Sequence, residues 1–275
     1  MAKSDPFRRL KVGVLGCGNM GASIVRGLVE KSFYPQNIYV YDTDSKRTSA
    51  LKREINVRVA KSNRQIASFC DVVLLAVKPQ VIDAVLNEIA LCTPRTALAV
   101  SIAAGIRIAR IQKAFREKVG VIRVMPNMPA LVGEGMSAYC LGPYATASHR
   151  RAAEMILKSI GEAVEVKESA MDLVTAISGS GPAYFFLLVE KMIEAACELG
   201  MKADIAKKLV YQTALGSAKA LVSTGEDPEV LIARVASKKG TTEAALQLFK
   251  QKGFGKIVYD AIERASERSK ELSQC

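Results

Sequence analysis

The stretch that decides the fold reads Lys11-Val-Gly-Val-Leu-Gly-Cys-Gly-Asn-Met-Gly21, followed by Ala22-Ser-Ile-Val-Arg-Gly-Leu-Val-Glu30. The first residues form a short run of branched apolar side chains, which predicts a buried strand. The later residues repeat apolar side chains at helical spacing and predict an amphipathic helix. A G-x-G-x-x-G pattern lies between them. Strand, glycine turn and helix in this order predict the first unit of a dinucleotide-binding fold.

The three glycines of this pattern have separate physical roles. Gly16 permits the tight turn after the strand, Gly18 allows the backbone to approach a pyrophosphate, and Gly21 lets the helix pack closely on the strand. The start of the helix offers free N–H groups and the positive end of the helix dipole. This combination favours a phosphate-binding turn over an ordinary loop.

A second strand is predicted at residues 37–41, and it ends at Asp42. An acid at this distance from the glycine turn binds the adenine ribose of NADH and repels a 2′-phosphate. Lys46 and Arg47 follow closely and are suited to pairing with the 2′-phosphate of NADPH. The residues alone leave the choice between NADH and NADPH open.

The alternation of strands and helices continues through the first half of the chain. Further strands are predicted at residues 57–60, 71–77, 96–102 and 119–124. This alternation predicts an α/β fold, a doubly wound and mostly parallel sheet of the Rossmann type. Ligands of such sheets bind at the carboxyl ends of the strands. We therefore expect the residues at 76–79, 102–105 and 125–129 to lie near the ligand.

Composition bounds the possible classes. The chain has 275 residues, 49% of them hydrophobic and 24% charged, which is enough for one large domain or two modest ones. No apolar run approaches the ~20 residues that cross a bilayer. The first nine residues form a short polar stretch, without the apolar segment that a secretory signal contains. We expect a cytoplasmic protein without a membrane segment.

Metal and imidazole chemistry is not expected. The six cysteines are scattered at positions 17, 70, 92, 140, 197 and 275, without a Cys-x-x-Cys pair, which suits reduced, mostly buried thiols. The single histidine, His149, has no Cys or His partner at ligand spacing. A zinc site and a Ser-His-Asp triad are therefore both disfavoured.

The net charge of +12 raises the question of nucleic-acid binding. Residues 1–168 hold 25 Lys and Arg against 14 Asp and Glu, and the remaining residues hold 14 against 13. The basic residues are dispersed, and the chain has no Trp and few aromatic residues on which bases could stack. We expect no nucleic-acid partner. The basic half is either a solvated surface or a field that attracts a polyanionic small molecule.

Strand signals stop near residue 169, and the remainder reads as helices. Residues 171–199 are apolar and helical, interrupted by Ser178-Gly-Ser-Gly-Pro182. Further helices are predicted at 204–222, from Pro228 with Asp227 as N-cap, at 242–251 and at 255–272. So much apolar helix surface in so small a domain predicts a partner subunit.

Three motifs carry a family resemblance. They are Pro126-Asn-Met-Pro-Ala-Leu-Val-Gly-Glu-Gly135, Ser178-Gly-Ser-Gly-Pro-Ala-Tyr184 and Val235-Ala-Ser-Lys-Lys-Gly-Thr-Thr242. With the glycine turn, they resemble pyrroline-5-carboxylate reductase over essentially the whole chain. The resemblance implies an NAD(P)-binding Rossmann domain at residues 1–168 and a helical dimerisation and substrate domain at residues 169–275. It also implies a homodimer, often assembled into a ring of dimers, and NAD(P)H-dependent reduction of 1-pyrroline-5-carboxylate to L-proline in proline biosynthesis.

The resemblance also implies site residues, to which the glycine-turn pattern adds Gly21 and Asp42. Cofactor contacts are expected at Leu15, Gly16, Cys17, Gly18, Asn19, Met20 and Gly21, at Asp42 and Asn63, at Ala76, Val77, Lys78 and Pro79, and at Ile102, Ala103 and Ala104. The substrate carboxylate is expected on the loop that holds Ser237, Gly240, Thr241 and Thr242. Hydroxyl and backbone N–H groups at a helix start suit such an anion.

Thr242 is the catalytic candidate, as a group that positions the substrate and relays a proton near the ring nitrogen. Its alternative role is that of a helix N-cap. A protonated imine is already a strong electrophile, so the reaction needs positioning within ~3–3.5 Å more than it needs a protein acid. The family loop usually has two glycines before Thr-Thr, whereas this chain has Lys238, Lys239 and a single Gly240. Our hypothesis is that the Lys239 side chain points outward and that activity survives.

Other functions fit parts of the pattern. The altered loop leaves open a non-catalytic relative that only binds nucleotide, and another cyclic imine as substrate is a second alternative. The β-hydroxyacid dehydrogenases share the glycine turn and a helical C-terminal domain, but their pattern includes a catalytic lysine near a Gly-Gly pair. The nearest lysine here is Lys191, in a different pattern.

Overall fold

The structure, a computed structural model, describes residues 9–115 and 118–274. The first eight residues, on which the expected absence of a secretory signal depends, and Cys275 lie outside the described residues. The described part separates into two compact units. One holds residues 9–180 (without 116–117) and 265–274, and the other is Gly181–Arg264. Residues 169–180 and 265–274, which we expected in the helical domain, belong to the unit that contains the sheet.

Eight strands of the described chain form one sheet in the order β3-β2-β1-β4-β5-β6-β7-β8. Strands β1 to β6 are parallel, β7 is antiparallel to β6, and β8 is parallel to β7. The strands are β1 Val12–Leu15, β2 Ile38–Tyr41, β3 Arg58–Val59, β4 Val72–Leu75, β5 Leu98–Ser101, β6 Gly120–Met125, β7 Gly135–Leu141 and β8 Gly161–Glu165. The six predicted strands and the mostly parallel sheet are confirmed, and β7 and β8 were not predicted.

Helices cover both faces of this sheet. They are α1 Asn19–Glu30, α2 Ser45–Ile55, α3 Asn63–Phe69, α4 Ile82–Ile89, α5 Ile108–Ala114, α6 Ala147–Leu157 and the short α7 Met171–Val174. Two apolar clusters result, one on each face, with side chains such as Val14 and Ile24 in the first and Leu15 and Ile66 in the second. A sheet buried on both faces explains why its central strands are nearly continuous apolar runs.

The second unit is helical. Its helices are α8 Gly181–Glu198, α9 Ala203–Thr224, α10 Pro228–Val235, α11 Thr241–Gln251 and the first part of α12 Phe254–Gln274. Gly200 has a φ of 96° after α8, as expected of a glycine that ends a helix. Asp227 occupies the N-cap position of α10 and Pro228 follows as its first residue, although the Asp227 side chain makes no capping bond. The predicted helices are confirmed.

The Ser-Gly-Ser-Gly-Pro segment interrupts the apolar stretch less than we expected. Residues Thr175–Gly179 form a π-helical turn, and α8 follows at once. The helical segment Glu168–Glu198 is therefore long and apolar enough to cross a membrane by length and composition alone, since an 18-residue stretch within it has a mean hydropathy of 1.3. This corrects the expectation that no stretch of the chain meets that test. The error arose because the glycines were taken to divide the segment into two shorter runs.

Candidate cofactor site

A cleft of about 940 Å³ opens at the carboxyl ends of the central strands. The glycine turn and the start of α1 form one side of it. The residues after β4, β5 and β6 form the other side, as expected for the ligand-binding edge of a parallel sheet. The predicted cofactor residues in its lining are Cys17, Gly18, Asn19, Met20, Gly21, Ala76, Val77, Lys78, Pro79, Ile102, Ala103 and Ala104.

The glycine turn has the geometry that its sequence predicts. Gly16 has a φ of 97°, a left-handed conformation that disfavours a side chain. A Cβ atom added at Gly21 would lie 2.1 Å from the Gly16 carbonyl oxygen, so only glycine allows α1 to approach this closely. At Gly18 the nearest neighbour of an added Cβ is an Arg47 guanidinium nitrogen at 3.9 Å. The space over Gly18 is therefore open to a ligand.

The start of α1 is suited to a phosphate. Gly18 is its N-cap residue, and no side chain within the described chain caps the first turn. The first N–H groups of a helix have no intrahelical acceptor. They lie at the cleft, where Asn19, Met20 and Gly21 form the lining. An open turn of uncapped N–H groups fits the pyrophosphate of a dinucleotide.

Asp42 lies beneath the turn, with its side chain only 8% exposed. One carboxylate oxygen accepts the backbone N–H of Cys17 at 2.6 Å, and the other accepts that of Asp44 at 2.8 Å. The Arg47 guanidinium lies 3.6 Å from the same carboxylate. The acid therefore binds the backbone of the turn and is not among the residues that line the cleft.

Basic side chains line the cleft around the turn. Arg47 is about half exposed, and its guanidinium also lies 3.4 Å from the Asp44 carboxylate. Arg26 of α1 binds Glu54 of α2 through two hydrogen bonds of 2.7 and 2.8 Å. Lys78 follows β4. Arg26 and Arg47 place positive charge on the side of the glycine turn and Lys78 on the opposite side, which favours a polyanionic ligand.

Cys17 is the one thiol that lines the cleft among the described residues. Burial, and secondarily the charge of Asp42, raises its pKa to about 12. The side chain is therefore a neutral thiol at neutral pH, and it neither repels a phosphate nor acts as a nucleophile.

Four predicted cofactor residues do not line the cleft. Leu15 is fully buried within β1, Gly16 turns the chain, and Asp42 binds the turn from below. Asn63 is buried at the start of α3, where its side-chain amide donates to Glu88 at 2.8 Å. Leu15, Gly16 and Asp42 belong to the strand ends and turn beside the cleft, whereas Asn63 links α3 to α4.

Several lining residues were not predicted as cofactor contacts. They are Ala22, Arg26, Ala50, Leu51 and Leu131. Arg26 lies at helical spacing from Asn19 and Ala22, on the face that α1 presents to the cleft, so the helical period was a usable signal. Leu131 comes from the short helical turn Met128–Val132. Nothing in the local sequence near Leu131 indicates its place.

The predicted substrate loop lies in the helical unit, just before α11. Gly240 is the N-cap residue of this helix, and the helix has no side-chain cap. Thr241 is its first residue and Thr242 its second, so Thr242 is not the N-cap. A Cβ atom at Gly240 would lie 2.4 Å from the Ser237 hydroxyl oxygen and 3.0 Å from the Ser237 carbonyl oxygen, so glycine makes the tight loop easier to form. Lys239 is exposed.

His149 has a structural role. Its backbone N–H donates to the Thr146 hydroxyl at 3.2 Å, and its ring nitrogen Nδ1 accepts the Thr146 N–H at 3.3 Å, a reciprocal cap on α6. No group of three or more His, Cys, Asp or Glu residues in the part of the chain that the structure describes could hold a metal ion. The five described cysteines are free, and Cys275 lies outside the described residues.

A doubly wound sheet with an open glycine turn and a basic cleft defines the class of dinucleotide-binding oxidoreductases. Comparison with known families agrees. A family described as pyrroline-5-carboxylate reductase dimerisation matches residues 168–272. One described as NADP oxidoreductase, coenzyme F420-dependent, matches residues 11–105. The pyrroline-5-carboxylate reductase of Synechocystis sp. is 38% identical over 96% of this chain and 99% of its own length. The chain belongs to the pyrroline-5-carboxylate reductase family.

Other relatives are similar over the same length. The pyrroline-5-carboxylate reductase of Pseudomonas aeruginosa is 38% identical over 96% of this chain and 97% of its own. Among solved structures, the enzyme from Coxiella burnetii superposes with a TM-score of 0.93 at 32% identity, covering 96% of this chain and 99% of that one. The Plasmodium falciparum enzyme with NADP bound has a TM-score of 0.85 at 31% identity, covering 97% and 99%.

Proposed function

We propose that this chain reduces 1-pyrroline-5-carboxylate to L-proline with NAD(P)H, the last step of proline biosynthesis. Full-length similarity to pyrroline-5-carboxylate reductases supports the reaction. The observation that carries the proposal is the open glycine turn at a cleft of about 940 Å³, since a reductase of this class needs a dinucleotide site. The related Plasmodium falciparum structure contains NADP in a fold of the same kind.

The cleft residues fit the cofactor. The uncapped N–H groups at the start of α1 would bind the pyrophosphate, with Gly18 allowing close approach. The backbones at 76–79 and 102–104 would hold the nicotinamide end, because small and proline residues after the strands leave room for a flat ring. Bound NAD(P)H supplies the hydride. The protein itself binds and orients the reacting groups and excludes water from them.

Cofactor preference follows from the positions of Asp42 and Arg47. A carboxylate that binds ribose hydroxyls must face the cleft, yet both oxygens of Asp42 already accept backbone N–H groups and its side chain is 8% exposed. Arg47 lines the cleft at the same place. A guanidinium there suits a 2′-phosphate, with charge-assisted hydrogen bonds. NADPH is therefore the preferred cofactor, and NADH the weaker one.

The loop that holds Ser237, Gly240, Thr241 and Thr242 would bind the substrate carboxylate. Hydroxyl groups and uncapped N–H groups meet at the start of α11, and this arrangement suits an anion. The Thr242 hydroxyl would hydrogen-bond the ring nitrogen and relay its proton. Among the described residues, no side-chain hydrogen bond occupies that hydroxyl.

The helical unit supports a homodimer. Large apolar side chains lie exposed along α8 and α12, among them Phe185 at 71% and Ile257 at 62%. Surfaces of this kind are covered by a partner or a membrane. The family description names dimerisation for residues 168–272, so a second copy of the chain would cover them. We infer a cytoplasmic homodimer, assembled further into a ring of dimers, with a cofactor domain at 1–168 and a dimerisation and substrate domain at 169–275.

The test is the loss of reduced-nicotinamide absorbance when 1-pyrroline-5-carboxylate is added, measured separately with NADPH and NADH. Turnover with a higher kcat/KM for NADPH is expected. A six-membered cyclic imine carboxylate serves as the second substrate. Higher kcat/KM for that ring would reassign the substrate, and tight cofactor binding without turnover of either ring would indicate a non-catalytic relative.

A further inference from the structure

Lys239 adopts a backbone conformation that lysine rarely takes. Its φ is 58°, and the other described non-glycine residues with positive φ are Ser32 and Asn56. Asn56 ends α2, a place where asparagine tolerates the left-handed region. Lysine has no short polar side chain to stabilise this conformation, so its Cβ makes it unfavourable. The two-lysine sequence of the loop therefore places a residue under local strain.

The strained residue lies in a tight turn. The Gly240 N–H donates to the Ser237 carbonyl oxygen at 3.0 Å, which makes Lys239 the third residue of a four-residue turn. Glycine is preferred where this third position has a positive φ. Gly240 is favoured by its closeness to Ser237, whose carbonyl oxygen would lie 3.0 Å from an added Cβ. The chain thus keeps the glycine at 240 and accepts the unfavourable residue at 239.

One side chain compensates for it. Glu243 is the third residue of α11, and its carboxylate accepts the Lys239 backbone N–H at 2.5 Å. A carboxylate in the first turn of a helix is itself stabilised by the helix dipole. A charge-assisted hydrogen bond to the backbone of a strained residue holds that residue in its conformation. Glu243, in the helix that follows, therefore holds the turn in place through this hydrogen bond.

The hydrogen bond between Glu243 and Lys239 also determines which backbone N–H groups of the loop remain free to bind a ligand. Glu243 takes the Lys239 N–H, whereas Ala244 N–H already donates to the Gly240 carbonyl oxygen. The N–H groups of Thr241 and Thr242 precede the first intrahelical bond and stay available. A turn that relaxes at Lys239 would move Gly240 and both of these groups.

We propose that Glu243 is a positioning residue, which holds the left-handed Lys239 and thereby fixes the loop 237–242 for the substrate carboxylate. The inference rests on the proposed function, in which this loop binds the substrate. Glu243 acts through the backbone of Lys239 and touches neither substrate nor cofactor.

The experiment is a double-mutant cycle on the full-length protein. The variants are Glu243→Ala, Glu243→Gln, Lys239→Gly and the double variant with Lys239→Gly and Glu243→Ala. Glu229→Ala is the matched control, since Glu229 also lies in the first turn of a helix, α10, and makes no side-chain hydrogen bond in the described chain. Two quantities are measured, the kinetic constants for 1-pyrroline-5-carboxylate and the hydrogen-exchange rate of the Lys239 amide.

We expect Glu243→Ala to raise KM at least about fivefold with kcat within about twofold, since it removes a charged hydrogen-bond partner. Amide exchange at Lys239 should accelerate about tenfold or more as the bond opens. Glu243→Gln retains a hydrogen-bond acceptor, so its KM and its exchange rate at the Lys239 amide should stay close to those of the unmodified protein. In the Lys239→Gly background, Glu243→Ala should change KM less than about twofold, because glycine adopts the turn unaided.

An equal rise in KM in both backgrounds would overturn the inference, because Glu243 would then act independently of Lys239. Unchanged exchange at Lys239 in Glu243→Ala would overturn it as well, whatever the kinetics. Absence of turnover in the unmodified protein would count against the proposed function alone. The exchange measurement would still decide whether Glu243 holds the turn.

Discussion

The carboxylate of Asp42 accepts the backbone N–H of Cys17 at 2.6 Å and joins the end of β2 to the glycine turn after β1. This bond supports the turn, and Asp42 is not among the residues that line the cleft. A residue placed where such folds bind ribose thus supports the backbone of the glycine turn, to which we assign the phosphates. The Arg47 guanidinium, 3.6 Å from the same carboxylate, reaches the cleft, and we propose that it meets the cofactor there.

Arg47→Ala should therefore discriminate between the two cofactors. We expect the Kd of NADPH to rise at least about tenfold, since a hydrogen bond to a charged group contributes about 1.5–3 kcal/mol. The Kd of NADH should change less than about twofold, because its ribose carries no phosphate. Both constants are measured by titrating the cofactor fluorescence.

Lys46→Ala is the matched control for this prediction. Lys46 precedes Arg47 in α2 and does not line the cleft. Its removal should change both constants by less than about twofold, as is usual for a solvated lysine. Equal losses of NADPH and NADH affinity in Arg47→Ala would contradict the role assigned to the guanidinium.

Two glycines of the turn should fail in different ways when each is replaced by alanine. Gly21→Ala places a Cβ 2.1 Å from the Gly16 carbonyl oxygen, so α1 must shift and the free energy of unfolding should fall by about 1–3 kcal/mol. Gly18→Ala meets only Arg47 at 3.9 Å and has a φ of −67°, so the fold should be unaffected. Gly18→Ala should instead raise the cofactor Kd, because its methyl group enters the open space over the turn.

Thermal unfolding and cofactor titration of the two glycine variants test this assignment. We expect a lower Tm in Gly21→Ala and an unchanged Tm in Gly18→Ala. Unchanged cofactor affinity in Gly18→Ala would show that the ligand does not approach the turn there.

The sequence predicted the parallel strands because both faces of those strands are buried, which makes their apolar runs nearly continuous. Strand β7, Gly135–Leu141, mixes glycine, serine and alanine with tyrosine and cysteine, and has no clear period. Strand β8, Gly161–Glu165, lies at the sheet edge with two exposed acids. Their pairing depends on contacts distant in sequence, which local patterns do not contain.

The cleft residues likewise divide into those that local sequence patterns predict and those whose position depends on tertiary packing. Residues after β4 and β5 were predicted because strand ends are fixed by local periodicity and meet at one edge of the sheet. Leu131 reaches the cleft through a short helical turn whose place depends on tertiary packing, and no spacing indicated it. The inward use of Asp42 was also invisible, since a sequence shows the distance of an acid from a glycine turn but not the direction of its carboxylate.

Thr242→Val tests the hydroxyl proposed to act near the ring nitrogen. Gly240 caps α11, so loss of this hydroxyl should leave Tm within about 1 °C, whereas loss of a capping side chain would cost about 1 kcal/mol. We expect kcat/KM to fall about tenfold or more, as for a hydrogen bond made to the reacting group. Thr242→Ser keeps the hydroxyl and should restore most of the activity. A lower Tm with full activity would return Thr242 to a structural role.

His149 should make stability depend on pH without affecting catalysis. Burial lowers its pKa from the ordinary value of 6.5, so the unfolded chain takes up a proton before the folded chain does. Stability from this residue is complete above about pH 6.5 and is lost as pH falls from there toward the lower folded-state pKa. His149→Gln keeps a residue suited to the reciprocal cap and removes the titration.

Urea unfolding between pH 5.5 and 8 compares the two proteins. The free energy of unfolding should fall more steeply with acid in the native protein than in His149→Gln. The pH profile of kcat/KM should be the same in both, since His149 caps α6 and does not line the cleft. Parallel stability curves would show that the pKa of His149 is the same in the folded and the unfolded chain.

The exposed face of α8 should carry the dimer, and Phe185→Glu tests it. Phe185 is 71% exposed and lines an apolar groove with Leu188 and Ile257. A carboxylate buried there should raise the dissociation constant of the dimer about a hundredfold or more, since Lys191, the one cation among the described residues that line the groove, already pairs with Glu190 and Glu194. Leu91→Glu is the control, because Leu91 is equally exposed at 70% but lies in the unit that contains the sheet.

Light scattering during size-exclusion chromatography should give a monomer mass for Phe185→Glu and a dimer mass for Leu91→Glu. A dimer in both variants would place the interface elsewhere. Phe185→Glu should also bind NADPH normally, since the cleft lies wholly within the other unit.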